Sequence, residues 1–255
     1  MSWRECRING EMTCDCDYSI TIDKGIIFCE SAFTESLETA KPELSTQPIT
    51  NEYASCAAAS INWVIEKMKE ADVEHKTIVD LRTMGGTFSK RLIDTLEEKT
   101  ADYLYIAIDP NYENIAAFSE KLLRDNCTEN IILCCGEYYD LPLREKTADF
   151  IVSFIGLQAL SLYYDEIPFK AAKKLMKECS EWFGCLYWVE QRKMIAEKYE
   201  RIQDNLFKDS LIEQMNIFDN IRYYSTGKTS DPGEISFYFN ENPEVFFSVF
   251  KITGK

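Results

Sequence analysis

The sequence has very few of the side chains that commonly move protons near neutral pH. It contains one histidine, His75, among 255 residues. Histidine is the only side chain whose ordinary pKa lies in the physiological range, so no mechanism built on several histidines is supported. His75 directly precedes a predicted strand, and we interpret it as a surface residue.

Long apolar runs and an excess of positive charge are also absent. No stretch approaches the roughly 20 apolar residues of a membrane span, and the first residues, Met1 to Glu5, lack an apolar signal region. The chain has 28 Lys and Arg against 43 Asp and Glu, a formal net charge of -15. This charge disfavours nucleic acids and anionic membranes. We therefore expect a cytoplasmic protein with a small-molecule or protein partner; an RNA-modifying enzyme is a weaker alternative.

The apolar content is sufficient for a folded protein, since 45% of the residues are hydrophobic and 13% aromatic. Ten cysteines are present. Six of them fall inside predicted helices and strands, and we expect them to be reduced, buried thiols that pack as small apolar groups. These six are Cys56, Cys127, Cys134, Cys135, Cys179 and Cys185.

The most informative stretch is residues 77–89. It begins with a short apolar run rich in β-branched residues, which is typical of a buried strand. Asp80 lies near the end of this run, and the pair Gly85 and Gly86 follows, which permits a tight turn with positive φ. A segment with apolar residues at helical spacing comes next. Strand, glycine turn and helix form the first unit of a nucleotide-binding α/β sheet.

The rest of the chain continues this alternation of strands and helices. Further strands are predicted at 102–109, 131–135, 149–154, 185–189, 235–239 and 246–252, and helices at 51–72, 111–126, 163–181 and over most of 191–220. Alternation of this kind predicts an α/β fold: a three-layer, Rossmann-like sheet of about seven strands, mostly parallel with a terminal antiparallel hairpin. We expect two parts, an N-terminal β hairpin with its linker over 1–50 and the α/β domain over 51–255.

The N-terminal part has a signature of its own. Residues 18–28 alternate around an Asp-Lys-Gly turn, which predicts a β hairpin. Cys6, Cys14, Cys16 and Cys29 surround it, and the tract resembles the small zinc-ribbon module that accompanies several methyltransferases. Such modules use paired Cys-x-x-Cys knuckles, whereas one residue separates Cys14 from Cys16. Two alternatives are therefore possible: these four thiolates bind zinc, or the hairpin contains no metal. We expect the metal-free hairpin.

Two carboxylates close neighbouring predicted strands. Asp80 ends one strand, and Asp109 ends the next after roughly 30 residues, the length of one β-α-β unit. Ligands of open α/β sheets bind beyond the carboxyl ends of the strands, and a carboxylate there can accept hydrogen bonds from ribose hydroxyls. The alternative is that both acids merely cap helices. Their common register, with the glycine pair between them, favours a nucleoside ligand.

Four motifs in order resemble the class I S-adenosylmethionine-dependent methyltransferases. They are IVDLRTMGGTFSKRL, YIAIDPNYENI, GEYYDLPLREKTADFIVS and WFGCLYWVE. The resemblance implies S-adenosylmethionine as cofactor. It assigns Asp109 to the ribose, Glu137 and Tyr138 to the adenine side, and Asp80 and Gly86 to the methionine side. The remaining cofactor positions that it implies are Arg82, Gly85, Pro110 and Ser153.

The first motif departs from the family pattern of an acid followed by three alternate glycines. Arg82 and Met84 stand where the first two glycines are expected. A side chain at a position that needs positive φ costs about 1 to 3 kcal/mol, unless the turn takes another path. Two functions follow: a methyltransferase acting on a small molecule or a protein, or an inactive methyltransferase-like binding or regulatory protein. No catalytic residue and no metal ligand of the α/β domain is assigned.

Overall fold

The computed structural model describes residues 10–13, 19–29, 51–100, 102–125, 130–136, 143–154, 169–190, 207–230 and 243–255. The strands are β1 (Gly10–Thr13), β2 (Ser19–Asp23), β3 (Ile26–Phe28), β4 (Lys76–Leu81), β5 (Tyr103–Asp109), β6 (Ile131–Cys135), β7 (Ala148–Ser153), β8 (Met176–Val189), β9 (Ile221–Thr229) and β10 (Val245–Thr253). The helices are α1 (Asn51–Glu70), α2 (Thr87–Glu97), α3 (Tyr112–Arg124), α4 (Phe169–Leu175) and α5 (Lys208–Met215).

One sheet contains all ten described strands, in the order β1-β2-β3-β6-β5-β4-β7-β8-β10-β9. Strands β3, β6, β5, β4, β7 and β8 run parallel, and β10 runs antiparallel to both of its neighbours. The predicted α/β class is therefore confirmed. Strands β5 and β6 are added on one side of the central strand β4, and β7 and β8 are added on its other side. Such a switch point is where open α/β sheets bind their ligands.

Both faces of the sheet are covered, as its nearly continuous apolar strands require. In β4, Ile78 belongs to the core formed with α1, α2 and α3. Val79 and Leu81 belong to the opposite core, which α4 and α5 cover. Because successive strand residues point to opposite faces, Asp80 shares the side of α1, α2 and α3 with Ile78. The carboxylate is thus placed under the helix that follows the glycine turn.

The predicted N-terminal hairpin is present, and it extends the sheet. Strands β2 and β3 pair antiparallel around Lys24 and Gly25, whose φ angles of 49° and 80° suit a tight hairpin turn. Strand β3 then pairs in parallel with β6, and β1 pairs with β2. These three strands raise the total to ten from the seven or so expected. The division into two domains near residue 50 stays a prediction.

Strand β8 corrects the predicted helix over 163–181. The described part of that segment is helical only in α4, and strand structure begins at Met176, far ahead of the predicted start at Cys185. The cause is tertiary: Met176 pairs with Ala148 of β7, and from Glu181 onward β8 pairs with both β7 and β10. Between Met176 and Glu181 the register with β7 shifts, and Cys179 has a φ of 61°. Hydrogen bonding to two neighbours thereby overrides the local helical pattern.

The last antiparallel pair also differs from the prediction in one member. Strand β10 confirms the strand predicted at 246–252, but its described partner is β9, a segment for which no strand was predicted. The strand predicted at 235–239 lies outside the described residues. Of the helix predicted over 191–220, the described part contains α5, after which the chain turns and does not continue as a helix.

Cysteine and histidine environments largely agree with expectation. Cys134, Cys135 and Cys185 are buried and form no disulfide, as predicted. Cys56 is half-buried and Cys179 is exposed, contrary to the prediction, and Cys127 lies outside the described residues. His75 is on the surface as predicted, with 73% of its side chain exposed. None of the helices in the described part of the chain has the length and apolar composition of a membrane span.

Candidate functional site

Four of the five residues in the turn after β4 have positive φ, and two of these four are not glycine; Thr83 between them is right-handed. Arg82 has a φ of 70° and Met84 a φ of 47°, and Gly85 and Gly86 follow at 76° and 74°. Residues 82 to 86 are called the β4 loop below. Bulky side chains are disfavoured in this region, so the loop stores backbone strain of about 1 to 3 kcal/mol per residue. Strain of this kind is characteristic of ligand-binding turns.

Gly86 allows α3 to pack directly on the β4 loop. A Cβ atom built at Gly86 would lie 1.9 Å from Cδ2 of Phe118, a ring that is fully buried in the core. A Cβ at Gly85 would meet nothing within 4 Å. The two glycines therefore have different roles. Gly85 supplies only backbone freedom, whereas Gly86 also supplies the space that the Phe118 ring fills.

Asp109 ties the β4 loop to the end of β5 and the start of α3. Its Oδ2 accepts a hydrogen bond from the backbone N–H of Met84 at 3.0 Å. Its Oδ1 accepts from the backbone N–H of Asn111 at 3.0 Å and from Nδ2 of Asn114 at 3.1 Å. The side chain is fully buried, and burial raises the pKa of Asp109, an effect that nearby Arg82 and the hydrogen bonds only partly offset.

This geometry limits what Asp109 can offer a ligand. An ionised carboxylate has about four lone-pair sites, and three are occupied here. One acceptor site is left, which suits one ribose hydroxyl and not the two that the sequence suggested. A ligand reaches it only when the β4 loop moves, because Asp109 has no exposed surface. The helix-capping alternative is not met at Asp109, because Asn111 is the N-cap residue of α3.

Asp80 lies deeper, beneath α2. Its Oδ2 accepts hydrogen bonds from Oγ of Ser89 at 2.5 Å and from the hydroxyl of Tyr105 at 2.6 Å. Burial raises the pKa of Asp80 to about 6, and the charge of Asp109 adds a smaller contribution in the same direction. Its Oδ1, like Oγ1 of Thr83, is buried without a hydrogen-bond partner in the part of the chain that the structure describes. Unsatisfied acceptors of this kind are rare in native cores and point to a polar ligand.

Of the remaining predicted cofactor positions, Pro110 and Ser153 are buried and contact other parts of the protein, and two others are not described. Pro110 is buried directly after Asp109, and its carbonyl oxygen lies 3.6 Å from Sγ of Cys135. Ser153 is buried at the end of β7, where its Oγ accepts a hydrogen bond from Nε1 of Trp182 at 3.0 Å. Its hydroxyl is therefore already engaged within the core. Glu137 and Tyr138 lie outside the described residues.

Several supporting side chains were not anticipated. Tyr105 and Ser89 hold Asp80, and Asn114 holds Asp109. From α3, Nζ of Lys121 donates to Oγ1 of Thr87 at 2.9 Å and to the carbonyl of Gly85 at 3.4 Å. Tyr105 could have been identified from the sequence, because it lies four residues before Asp109 in the same strand and so faces the same side of the sheet. Ser89 and Lys121 had none, because only helix packing brings them to the loop.

The described residues offer no metal centre. No group of three or more His, Cys, Asp or Glu side chains among them is arranged to hold a metal ion. Of the four N-terminal cysteines, only Cys29 is described. It is buried and forms no disulfide. The zinc hypothesis for the hairpin therefore stays a prediction.

Comparison with solved structures confirms the class I methyltransferase fold. The [4+2]-cyclase SpnF is similar with a TM-score of 0.57 at 9% identity, over 78% of this chain and 82% of that one. Haemonchus contortus phosphoethanolamine N-methyltransferase 2 gives 0.56 at 12% identity, over 81% of this chain and 55% of that one. The arsenic(III) S-adenosylmethionine methyltransferase of Chlamydomonas reinhardtii gives 0.54 at 14%, over 78% and 73%.

No family model and no curated protein matches the sequence. At identities this low the similarity concerns the fold. One of the three neighbours is a cyclase, so the fold does not by itself specify methyl transfer. What the site does must be argued from its residues.

The contact between Gly86 and Phe118 predicts different costs for two equivalent substitutions. Gly86→Ala and Gly85→Ala each place a methyl group at a φ near 75°. Only Gly86→Ala also drives a Cβ into the Phe118 ring. We expect it to lower the free energy of unfolding by about 1 to 3 kcal/mol more than Gly85→Ala, measured by urea denaturation. Equal losses for the two variants would show that α3 does not rest on Gly86.

The raised pKa of Asp80 predicts a pH dependence of stability. Since the folded-state pKa is about 6 and the ordinary value is 3.8, the folded chain binds the proton more tightly than the unfolded one. The Asp80 contribution is therefore most favourable below about pH 4 and is lost as the pH rises through about 6, at a cost of about 3 kcal/mol.

Asp80→Asn should remove this slope, which urea denaturation of both proteins between about pH 4 and pH 7 measures. Asp72→Asn, at an exposed aspartate after α1, is the matched control. If wild-type and Asp80→Asn stabilities change in parallel across this range, Asp80 is not protonated by burial.

Proposed function

We propose that this chain, with its class I methyltransferase fold, is an S-adenosylmethionine-dependent methyltransferase acting on a small-molecule or protein acceptor. The observation that carries the proposal is the β4 loop. Four of its five residues have positive φ, and the loop lies over the carboxyl ends of β4 and β5, with one buried carboxylate near each strand end. A site of this form offers acceptors to a cationic, hydroxyl-bearing ligand at the switch point of the sheet.

The residues fit the cofactor in chemical type. The ammonium group of a methionine moiety needs acceptors, and Asp80 keeps one oxygen without a donor among the described residues. Asp109 keeps one acceptor site for a ribose hydroxyl. Arg82 brings a positive charge to the loop, which suits the carboxylate of the same methionine moiety. Gly85, Gly86 and Pro110 would form the wall, with Ser153, Glu137 and Tyr138 completing the cofactor positions.

When bound, S-adenosylmethionine supplies an electrophilic methyl group on a sulfonium. The chain's own contribution is then to hold donor and acceptor in line and to exclude water, which can supply most of the acceleration. Asp109 at the end of β5 accepts from Met84 of the β4 loop, and Lys121 of α3 donates to the carbonyl of Gly85 in the same loop. We assign no general base, because proton removal is needed only for acceptors that must lose a proton early.

The acceptor is proposed only by class. Two of the neighbours named above are methyltransferases: one is in complex with phosphomonomethylethanolamine and S-adenosylhomocysteine, and the other is an arsenic(III) methyltransferase. These substrates differ in charge and size, so the fold leaves the acceptor open. The formal net charge of -15 favours an acceptor that is not a nucleic acid.

Calorimetry with S-adenosylmethionine and S-adenosylhomocysteine tests the proposal directly. We expect both to bind the wild-type protein with a Kd of about 1 to 100 μM, and Asp109→Asn to weaken binding by about tenfold or more, as loss of a hydrogen bond to a charged group does. Asp102→Asn removes the same charge at the opposite end of the same strand and should leave the Kd unchanged.

Each negative result has a separate meaning. If neither compound binds at about millimolar concentration, the enzyme proposal fails and the inactive alternative takes its place. If Asp109→Asn binds as tightly as the wild type, only the ribose assignment is wrong. Circular dichroism and thermal melting of the variant show whether any loss of binding comes from loss of fold.

A further inference from the structure

A concave site lies at the β9 edge of the sheet, four strands away from β4. A cavity of about 390 Å³ is lined by Asp219, Asn220, Ile221, Arg222, Lys251 and Thr253. Asp219 and Asn220 directly precede β9, Ile221 and Arg222 begin it, and Lys251 and Thr253 lie at the end of β10, which pairs with both β9 and β8. The volume is in the range of small-molecule sites. Its ligand would not share the cofactor edge, so the inference does not depend on the proposed function.

The cavity is cationic, which is unusual in a chain with a formal net charge of -15. Asp219 is paired with Lys255 at 2.6 Å, and this contact lowers the pKa of its carboxyl group. Lys251 is paired with Glu181. No carboxylate among the described residues pairs with Arg222, so one positive charge is left over in this group. A guanidinium in that position can bind an oxyanion through two parallel hydrogen bonds.

Aromatic rings continue the site along the same face of the sheet. Tyr224 follows Arg222 by two residues in β9, so both side chains point to the side of α1. The Tyr224 ring is 6.1 Å from that of Trp63, while 48% of the residue stays exposed. The Lys251 ammonium lies 5.2 Å from the centroid of the Phe183 ring, which holds it beside Arg222. The Cα atoms of Arg222 and Tyr224 are about 7 Å apart along the strand, so an exposed tyrosine and a guanidinium are neighbours on one face.

We propose that this cavity binds a small phosphate monoester that carries an aromatic or heteroaromatic ring. The phosphate lies against Arg222 and Lys251, where a dianion gains two charge-assisted contacts. The ring lies on the exposed face of Tyr224, where stacking adds affinity without selecting one ring type. The choice of an anion rests on Arg222, which has no carboxylate partner among the described residues. The choice of a ring rests on the exposed side chain of Tyr224.

Calorimetric titration with phenyl phosphate and with inorganic phosphate tests the site. Phenyl phosphate contains no adenosine, so it does not report on the proposed cofactor site. We expect the wild type to bind it with a Kd of about 1 mM or lower. Arg222→Gln should raise the Kd of both compounds about tenfold. Tyr224→Leu should raise only the Kd of phenyl phosphate, by about threefold to tenfold.

The matched control is Lys228→Gln, which removes one positive charge at the other end of β9, where Lys228 is paired with Glu244 at 3.1 Å. It should change neither Kd. Equal weakening by Lys228→Gln and Arg222→Gln would mean that only overall charge matters, and would overturn the site. Failure of phenyl phosphate to bind the wild type at about 10 mM would overturn it as well. An unchanged Kd for phenyl phosphate in Tyr224→Leu would overturn the ring assignment.

Discussion

The buried carboxylate of Asp109 is the joint on which the candidate site depends. It receives hydrogen bonds from the β4 loop through Met84 and from the start of α3 through Asn111 and Asn114. One side chain therefore holds together the end of β5, the β4 loop and the start of α3. A neutral or shorter residue could not satisfy these donors together, because a buried N–H without an acceptor costs about 1 to 3 kcal/mol.

This joint also explains how two non-glycine residues are kept at positive φ. Arg82 and Met84 have unfavourable local conformations, and such conformations persist only where the surroundings determine them from several directions. Here Arg82 and Thr83 donate their backbone N–H groups to the carbonyl of Ile108, Met84 donates to Asp109, and Gly86 is packed under Phe118. Local preference and global fold disagree at this loop, and such disagreement is characteristic of functional sites.

The two carboxylates differ in what they leave available. Asp109 is almost fully used by the protein, whereas Asp80 retains an oxygen without a described donor and has a pKa raised to about 6. A cationic ligand near Asp80 would favour its ionised form and lower that pKa again. The fold alone does not demand this arrangement, because proteins of the same architecture include a cyclase as well as methyltransferases. The arrangement is a property of these side chains.

The sequence by itself determined the α/β class, the helix over Asn51–Glu70, the β2–β3 hairpin and the positions of Asp80 and Asp109 at strand ends. All of these follow from local period, turn chemistry and acid spacing, which a short window of residues contains. Tertiary structure decided the early start of β8, the pairing of β9 with β10 and the addition of β3 to β6. Those features depend on hydrogen bonds between segments far apart in the chain. For the same reason only the folded chain brings Ser89, Tyr105 and Lys121 to the loop, since helix and strand packing, and not spacing, sets which donors meet each carboxylate and carbonyl.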